Sequence, residues 1–242
     1  MKRFIILSFL FSTLFSSCIF IGGKRVRGNG KIATQSRTVN AFNSVDVSGG
    51  IDVYIKQDSV ASVKIEADEN LLEYVQVTVD GSTLEIREEK GFNLRSTNRI
   101  KVFVSGPSFK HFEASGACDI YGENKISSNS EIGIDASGAS SIKMELNAPV
   151  VNADLSGASH INLRGETKNF KADGSGASGM KCFELMTEEA HVELSGASDA
   201  EVFASLKLDL HASGASSIRY KGNATVSQES SGAGSVKKVE AP

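Results

Sequence analysis

A chain of 242 residues with formal charge −3, 40% hydrophobic and 23% charged residues has the composition of one or two folded domains. That balance excludes a disordered chain, and the mild acidity argues against a nucleic-acid partner held through phosphate contacts.

The opening MKRFIILSFLFSTLFSSC sets Lys2 and Arg3 before an apolar run from Phe4 to Phe15, then small residues before Cys18. This is the pattern of a secretion signal. Ser8, Ser12, Thr13, Ser16 and Ser17 interrupt the run, which weighs against the rival reading of a membrane-spanning anchor. The segment LFSSC resembles a bacterial lipoprotein cleavage box, with Phe15 and Ser17 where Leu and Gly or Ala are usual. The resemblance implies a lipoprotein signal peptide over residues 1–17 and a lipidated Cys18 at the mature N-terminus, held to a membrane by acyl chains. Loss of Lys2 and Arg3 takes the formal charge from −3 to −5.

Residues 18–30 read as a short tether, and residues 31–105 as a less regular N-terminal β region. Within it FNSVDVSGGIDVYI and ASVKIEA alternate like strands, DENLLEYV fits one helical turn, and YVQVTVDGSTLEIRE predicts a hairpin turning at Asp80-Gly81. NRIKVFVSGP adds another strand. The region is expected to form the first layers of the same body, with a small separate β unit as the alternative.

Over residues 106–242 the tripeptide Ser-Gly-Ala recurs seven times, beginning at Ser115, Ser137, Ser156, Ser175, Ser195, Ser213 and Ser231. Counting from each Ser, apolar residues fall at offsets −5, −3 and −1, as in Ile132/Ile134/Ala136 and Val151/Ala153/Leu155. They fall again at +5 and +7, as in Ile142/Met144 and Ile161/Leu163. This period of two predicts a short strand, a turn and a second short strand per copy. Strands so short cannot bury a face alone, so the copies must stack. The predicted fold is all-β, a right-handed single-stranded parallel β-helix or β-solenoid with one corner per coil. Gly116, Gly138, Gly157, Gly176, Gly196, Gly214 and Gly232 are the expected structural corner positions, where positive φ and close approach of coils are required. The Ala after each is expected to point into the corner, and the Ser to cap a backbone group. A second Ser follows at +3 in five copies. The polar last copy, VSQESSGAGSVKKVEAP, reads as a cap on an open sheet end.

Two further cysteines, Cys118 and Cys182, fall three coils apart in this register. That is roughly 14 Å at strand spacing, beyond the reach of a disulfide. Offset −2 carries Glu113, Asp135, Asp154, Asp173, Glu193, His211 and Glu229, an outward acidic column beside the corner. Lys143, Lys181, Arg219 and Lys237 form a looser basic column at +6. The acids are read either as a solvated face resistant to edge pairing or as a cation- or ligand-binding edge, with calcium the natural cation. No other cofactor is implied.

Asn152-Ala153-Asp154 and Arg219-Tyr220-Lys221 echo fragments of a polygalacturonase site, but they fall three coils apart on different faces and cannot share one glycosidic bond. His111, His160, His191 and His211 sit at scattered offsets, an arrangement read as exposed strand positions rather than a metal cluster. Trp is absent, and Tyr121 is the one outward tyrosine of the columns, so stacking on sugars has little support.

Taken as a set, the lipoprotein-like signal, FNSVDVSGGIDVYI, ADENLLEYVQVTVDGSTLEI, IKVFVSGPSFKHFEASGA and the Ser-Gly-Ala turns resemble the "putative auto-transporter adhesin, head GIN domain" family of Bacteroidetes over about residues 38–240. The resemblance implies a right-handed β-helix shaped like the pectin lyases without their catalytic residues, and a role in cell adhesion. The expectation is a non-enzymatic envelope lipoprotein on the outer membrane, facing the periplasm or the cell surface. It would bind the membrane through its lipid, and a glycan or cell-surface ligand through its repetitive surface. A carbohydrate-active β-helix enzyme is the alternative.

Overall fold

The structure, a computed structural model, describes residues 23–240. The signal segment and Cys18 lie outside the described residues. Strands make up 65% of the described residues and build a β-solenoid of about six turns. Among the described residues no helix is long and apolar enough to cross a membrane.

The apolar columns set the register. Ile132–Ala136 lies in parallel on Val151–Leu155, which continues onto Phe170–Gly174, Ala190–Leu194 and Leu208–Ala212. Their inward side chains are buried throughout and form one continuous core with Ile142, Leu163, Cys182, Val202 and Ile218 from the other side of the corner. Burying a Leu, Ile or Val in this way contributes roughly 1.5–3 kcal/mol per side chain. In the middle coils the corner still divides the two strands expected per repeat, but the strand after one corner runs on into the strand before the next, as in Ser141–Leu155, His160–Gly174 and Gly179–Leu194. Leu146 and Ala148 continue the inward alternation of Ile142 and Met144, which slips by one residue at Pro149-Val150 before Val151, Ala153 and Leu155 resume it, while pairing to the next coil runs on.

Each corner glycine has positive φ, from 69° at Gly232 to 85° at Gly116. The alanine that follows donates its N–H to the corner glycine carbonyl of the previous coil, at 2.7 Å for Ala139, Ala158, Ala177, Ala197, Ala215 and Ala233. These alanines are exposed, contrary to the expectation that they fill the corner. The left-handed glycine turns the chain so that the next inward side chain is the +3 serine. Ser140, Ser159, Ser178, Ser198 and Ser216 are all buried. Their hydroxyls find partners close by: Ser159 Oγ donates to the carbonyls of Ala136 and Ser156, both at 2.9 Å. The capping role expected of the first serine is thus carried mainly by the second.

Parallel stacking starts at Ser44, well before residue 106. Ser44–Gly49 pairs with His111–Gly116, and Ile51–Gln57 with Asp119–Gly122. Ser48-Gly49-Gly50 is therefore a corner too, with Gly49 at φ 106°. The chain then doubles back. Thr83–Glu88 and Ile100–Gly106 pack in parallel on the other edges of those two strands, so the layer order along the axis is not the chain order.

Antiparallel strands close this end. Val75–Asp80 pairs with Thr83–Glu88 across the expected hairpin turn, where Gly81 has φ 58°. Ser62–Asp68 pairs antiparallel with both Ile100–Gly106 and Ile32–Arg37. DENLLEYV forms a 3-10 turn, Glu69–Tyr74, that buries Leu71 and Leu72. The segment 18–30, expected to be a tether, contains the strand Lys24–Arg27, paired in parallel with Phe92–Arg95. Buried Asp68 fastens the segment by accepting hydrogen bonds from Gly30 N, Thr97 N and Thr97 Oγ1 at 2.7–2.8 Å. At the far end Thr225–Ser230 and Ser235–Lys238 are largely exposed, as a polar cap requires.

Candidate functional site

Because every coil meets the next in register, residues at one offset become a ladder along the outside. At offset −2 the pairing runs Glu113, Asp135, Asp154, Asp173, Glu193, His211, Glu229. It extends beyond the Ser-Gly-Ala copies through Asp46 to Glu85. Asp46 stands two residues before the Ser48-Gly49-Gly50 corner. The likeness of VDVSGG to FEASGA would have found it in the sequence.

The middle of this ladder lines an open groove of about 510 Å³, with Glu113, Asp135, Asp154, Asp173 and Glu193 beside the corner serines Ser137, Ser156, Ser175 and Ser195. A carboxylate one strand spacing away disfavours ionisation of a carboxyl group. Burial, then the charges of Glu113 and Glu85, push the Asp46 carboxyl above its ordinary value. Burial raises Asp135, His111 opposes it, and Asp154 raises it further, leaving it above the usual carboxylate value. Few cations answer these charges. Arg87 pairs with Glu85 at 2.7 Å and Lys171 with Asp173 at 3.2 Å, and the His111 ring lies 3.2 Å from Asp135. The groove therefore presents net negative charge with hydroxyls alongside.

The basic column at +6 is interleaved rather than continuous. Asn162 separates Lys143 from Lys181, and Glu201, paired with Arg219 at 2.7 Å, separates Lys181 from Arg219. The column ends at Lys237. Toward the N-terminal end it becomes aromatic: Tyr121 stacks on Tyr54 and Tyr54 on Phe103, each pair with ring centroids 5.2 Å apart. Tyr121 is thus one of three rings stacked in this column. Register alone supplied the other two.

The histidines are less scattered than their offsets imply. His191 lies in register with Asp209 of the next coil, and His211 follows Asp209 by two residues on the same outward face. Their ring centroids are 5.6 Å apart. The expectation of a dispersed set is corrected here, because coil stacking brings offsets −4 and −2 of adjacent coils together. Burial raises the Asp209 carboxyl, but the hydrogen bond with His191 and the charges of His211 and His191 hold it below its ordinary value. A second group, His111 with Glu113 and Asp135, lies on the acidic ladder.

No register joins the polygalacturonase-like fragments. Asp154 and Arg219 lie three coils apart, on opposite sides of the corner. Cys118 and Cys182 are buried free thiols.

A family model described as "Putative auto-transporter adhesin, head GIN domain" matches residues 41–224. No curated protein matches the chain. Among solved structures, one described as a putative adhesin from Bacteroides fragilis superposes with TM-score 0.84 at 22% identity, covering 88% of this chain and 100% of the other. A putative adhesin from Parabacteroides merdae gives TM-score 0.71 at 24% identity, covering 90% and 100%. A structure described as a putative lipid binding protein from Parabacteroides distasonis gives TM-score 0.71 at 21% identity, again covering 90% and 100%. These likenesses establish the fold.

Proposed function

Because the chain belongs to the "putative auto-transporter adhesin, head GIN domain" family, we propose that it is a non-enzymatic, lipid-anchored envelope protein. Its acidic groove is the surface it offers to a ligand. The observation that carries this reading is the ladder from Glu113 to Glu193 lining one open groove. A rigid solenoid that repeats one group at fixed spacing suits a repetitive partner, because each added unit engages without a new ordering cost. A glycan or cell-surface polymer bearing cationic groups, or bridged by calcium, has that chemistry. Cys18 supplies the lipid, and the body stands on the outer membrane, on its periplasmic or its external side.

Chemistry on a glycan would need an acid and a nucleophile or base about 5–10 Å apart around one bond. The ladder offers many acids, but all in one file with no opposed partner. The test is a panel of glycans and envelope polysaccharides scored for both retention and cleavage. Retention by the parent, lost when Asp135, Asp154 and Asp173 become Asn, supports the binding role. New reducing or unsaturated ends would overturn it in favour of a carbohydrate-active enzyme.

A further inference from the structure

We propose that His191, Asp209 and His211 form a binding site for a divalent transition-metal ion of the zinc class, at the end of the acidic ladder next to the groove. His191 Nδ1 stands 3.1 Å from Asp209 Oδ2, and His211 Nε2 stands 3.3 Å from Asp209 Oδ1. One ligand atom from each residue lies within 4.8 Å of the others. Around a tetrahedral zinc ion with bonds near 2.0–2.1 Å, ligand atoms sit roughly 3.3–3.4 Å from one another. The ion therefore needs small side-chain adjustments and no movement of the strands.

The donor types choose the metal. Two imidazoles and one carboxylate suit zinc, copper or nickel, whereas calcium prefers an all-oxygen shell. A carboxylate also stands behind one ligand: Glu229 Oε2 is 3.6 Å from His211 Nδ1. A closer approach of a few tenths of an ångström would let Glu229 accept the Nδ1–H, and a carboxylate so bonded orients a metal-bound imidazole and raises its basicity. Glu193, in register beside His211, adds further negative charge. The three side chains are about one-third exposed, at 37% for His191, 33% for Asp209 and 34% for His211, so an ion has access and a coordination position remains for solvent or an incoming ligand. The site arises where adjacent coils put His191 and Asp209 in one column and the chain then supplies His211 two residues on.

The test is equilibrium dialysis of the purified, untagged chain against zinc chloride, with metal content measured by elemental analysis. The parent should hold about one zinc per chain in the presence of millimolar calcium. His191→Ala and His211→Ala should each lose it, and His160→Ala should keep it. Glu229→Gln should weaken binding by about tenfold or more. Zinc content unchanged in the His191→Ala/His211→Ala double variant, or a parent that binds none, would overturn the proposal and leave the three residues as an ion-pair network only. Should the alanine variants fail to fold, the parent decides. Substoichiometric copper should broaden the imidazole proton signals of His191 and His211 before those of His111 and His160, and equal broadening of all four would refute the site.

Discussion

Gly157 sits so close beneath Gly138 that a methyl group on it would stand 2.6 Å from the Gly138 carbonyl oxygen. That same oxygen accepts the Ala158 N–H at 2.7 Å. Gly157 also holds φ at 73°. Gly157→Ala therefore meets two separate penalties, a left-handed backbone and a clash with the hydrogen bond that joins the coils. It should destabilise by at least about 2 kcal/mol. Ala158→Ser, on the exposed neighbour, should stay within about 0.5 kcal/mol. Denaturant melts of the two variants check the contrast, and equal stabilities would remove glycine from its corner role.

The buried serine file gives a second prediction. Ser159→Ala deletes a hydroxyl with two carbonyl acceptors and should cost about 1 kcal/mol. Ser159→Val adds bulk to a filled corner and should cost more, about 1–3 kcal/mol. The ranking is read from thermal unfolding, and a more stable Val variant would mean that the corner holds unfilled space.

Acid titration separates two kinds of aspartate. Asp46 and Asp135 have raised pKa values, so the folded state holds their protons more tightly than the unfolded chain does. Their contribution to stability falls as pH rises from the ordinary carboxylate value through the folded one. Asp46→Asn/Asp135→Asn should therefore be more stable than the parent at pH 7, with the gap closing below about pH 4. Asp68 behaves in the opposite sense. Burial raises it, but the hydrogen bonds from Thr97 and Gly30 prevail and its pKa is lowered. Its stabilisation is present above the ordinary value and is lost as pH falls through the folded one. Asp68→Ala should cost about 2–3 kcal/mol at pH 7 and progressively less in acid. Stability curves from pH 2 to 8 test both signs.

Calcium should act on the same ladder. Neighbouring carboxylates at strand spacing repel by up to about 0.9 kcal/mol per pair in water-like dielectric, and a bound cation relieves this. The parent should melt at higher temperature in millimolar calcium than in chelator. The Asp135→Asn/Asp154→Asn/Asp173→Asn variant should show no such rise and should match or exceed the parent in chelator. An unchanged parent would leave the ladder as a solvated face alone.

Burial pushes the Cys118 thiol up to about 11 and that of Cys182 up to about 12. At pH 8 neither presents much thiolate and neither is accessible. Iodoacetamide should label them only after unfolding, and mass spectrometry should find no bridge between them. Prompt labelling of the folded chain at Cys182 would contradict its inward position.

Cys18→Ala should abolish lipid attachment and move the protein out of the detergent phase on Triton X-114 partitioning. Unaltered partitioning would refute the lipoprotein reading.

Much of this protein was legible in its sequence because a solenoid is locally repetitive. Each coil sees the same neighbour above and below, so the columns Ile132/Ile134/Ala136 and Val151/Ala153/Leu155 predict both the strands and their burial. The acidic file at −2 follows from the same count. Tertiary structure decided what lies off that count. Whether alanine or serine fills the corner depends on the turn made by a left-handed glycine, which composition does not encode. The return of Thr83–Glu88 and Ile100–Gly106 to the far side of Ser44–Gln57 depends on which strand edges are left free once the layers assemble. The meeting of His191, Asp209 and His211 depends on stacking across coils and on side-chain rotamers together, and neither is a property of any one stretch of chain.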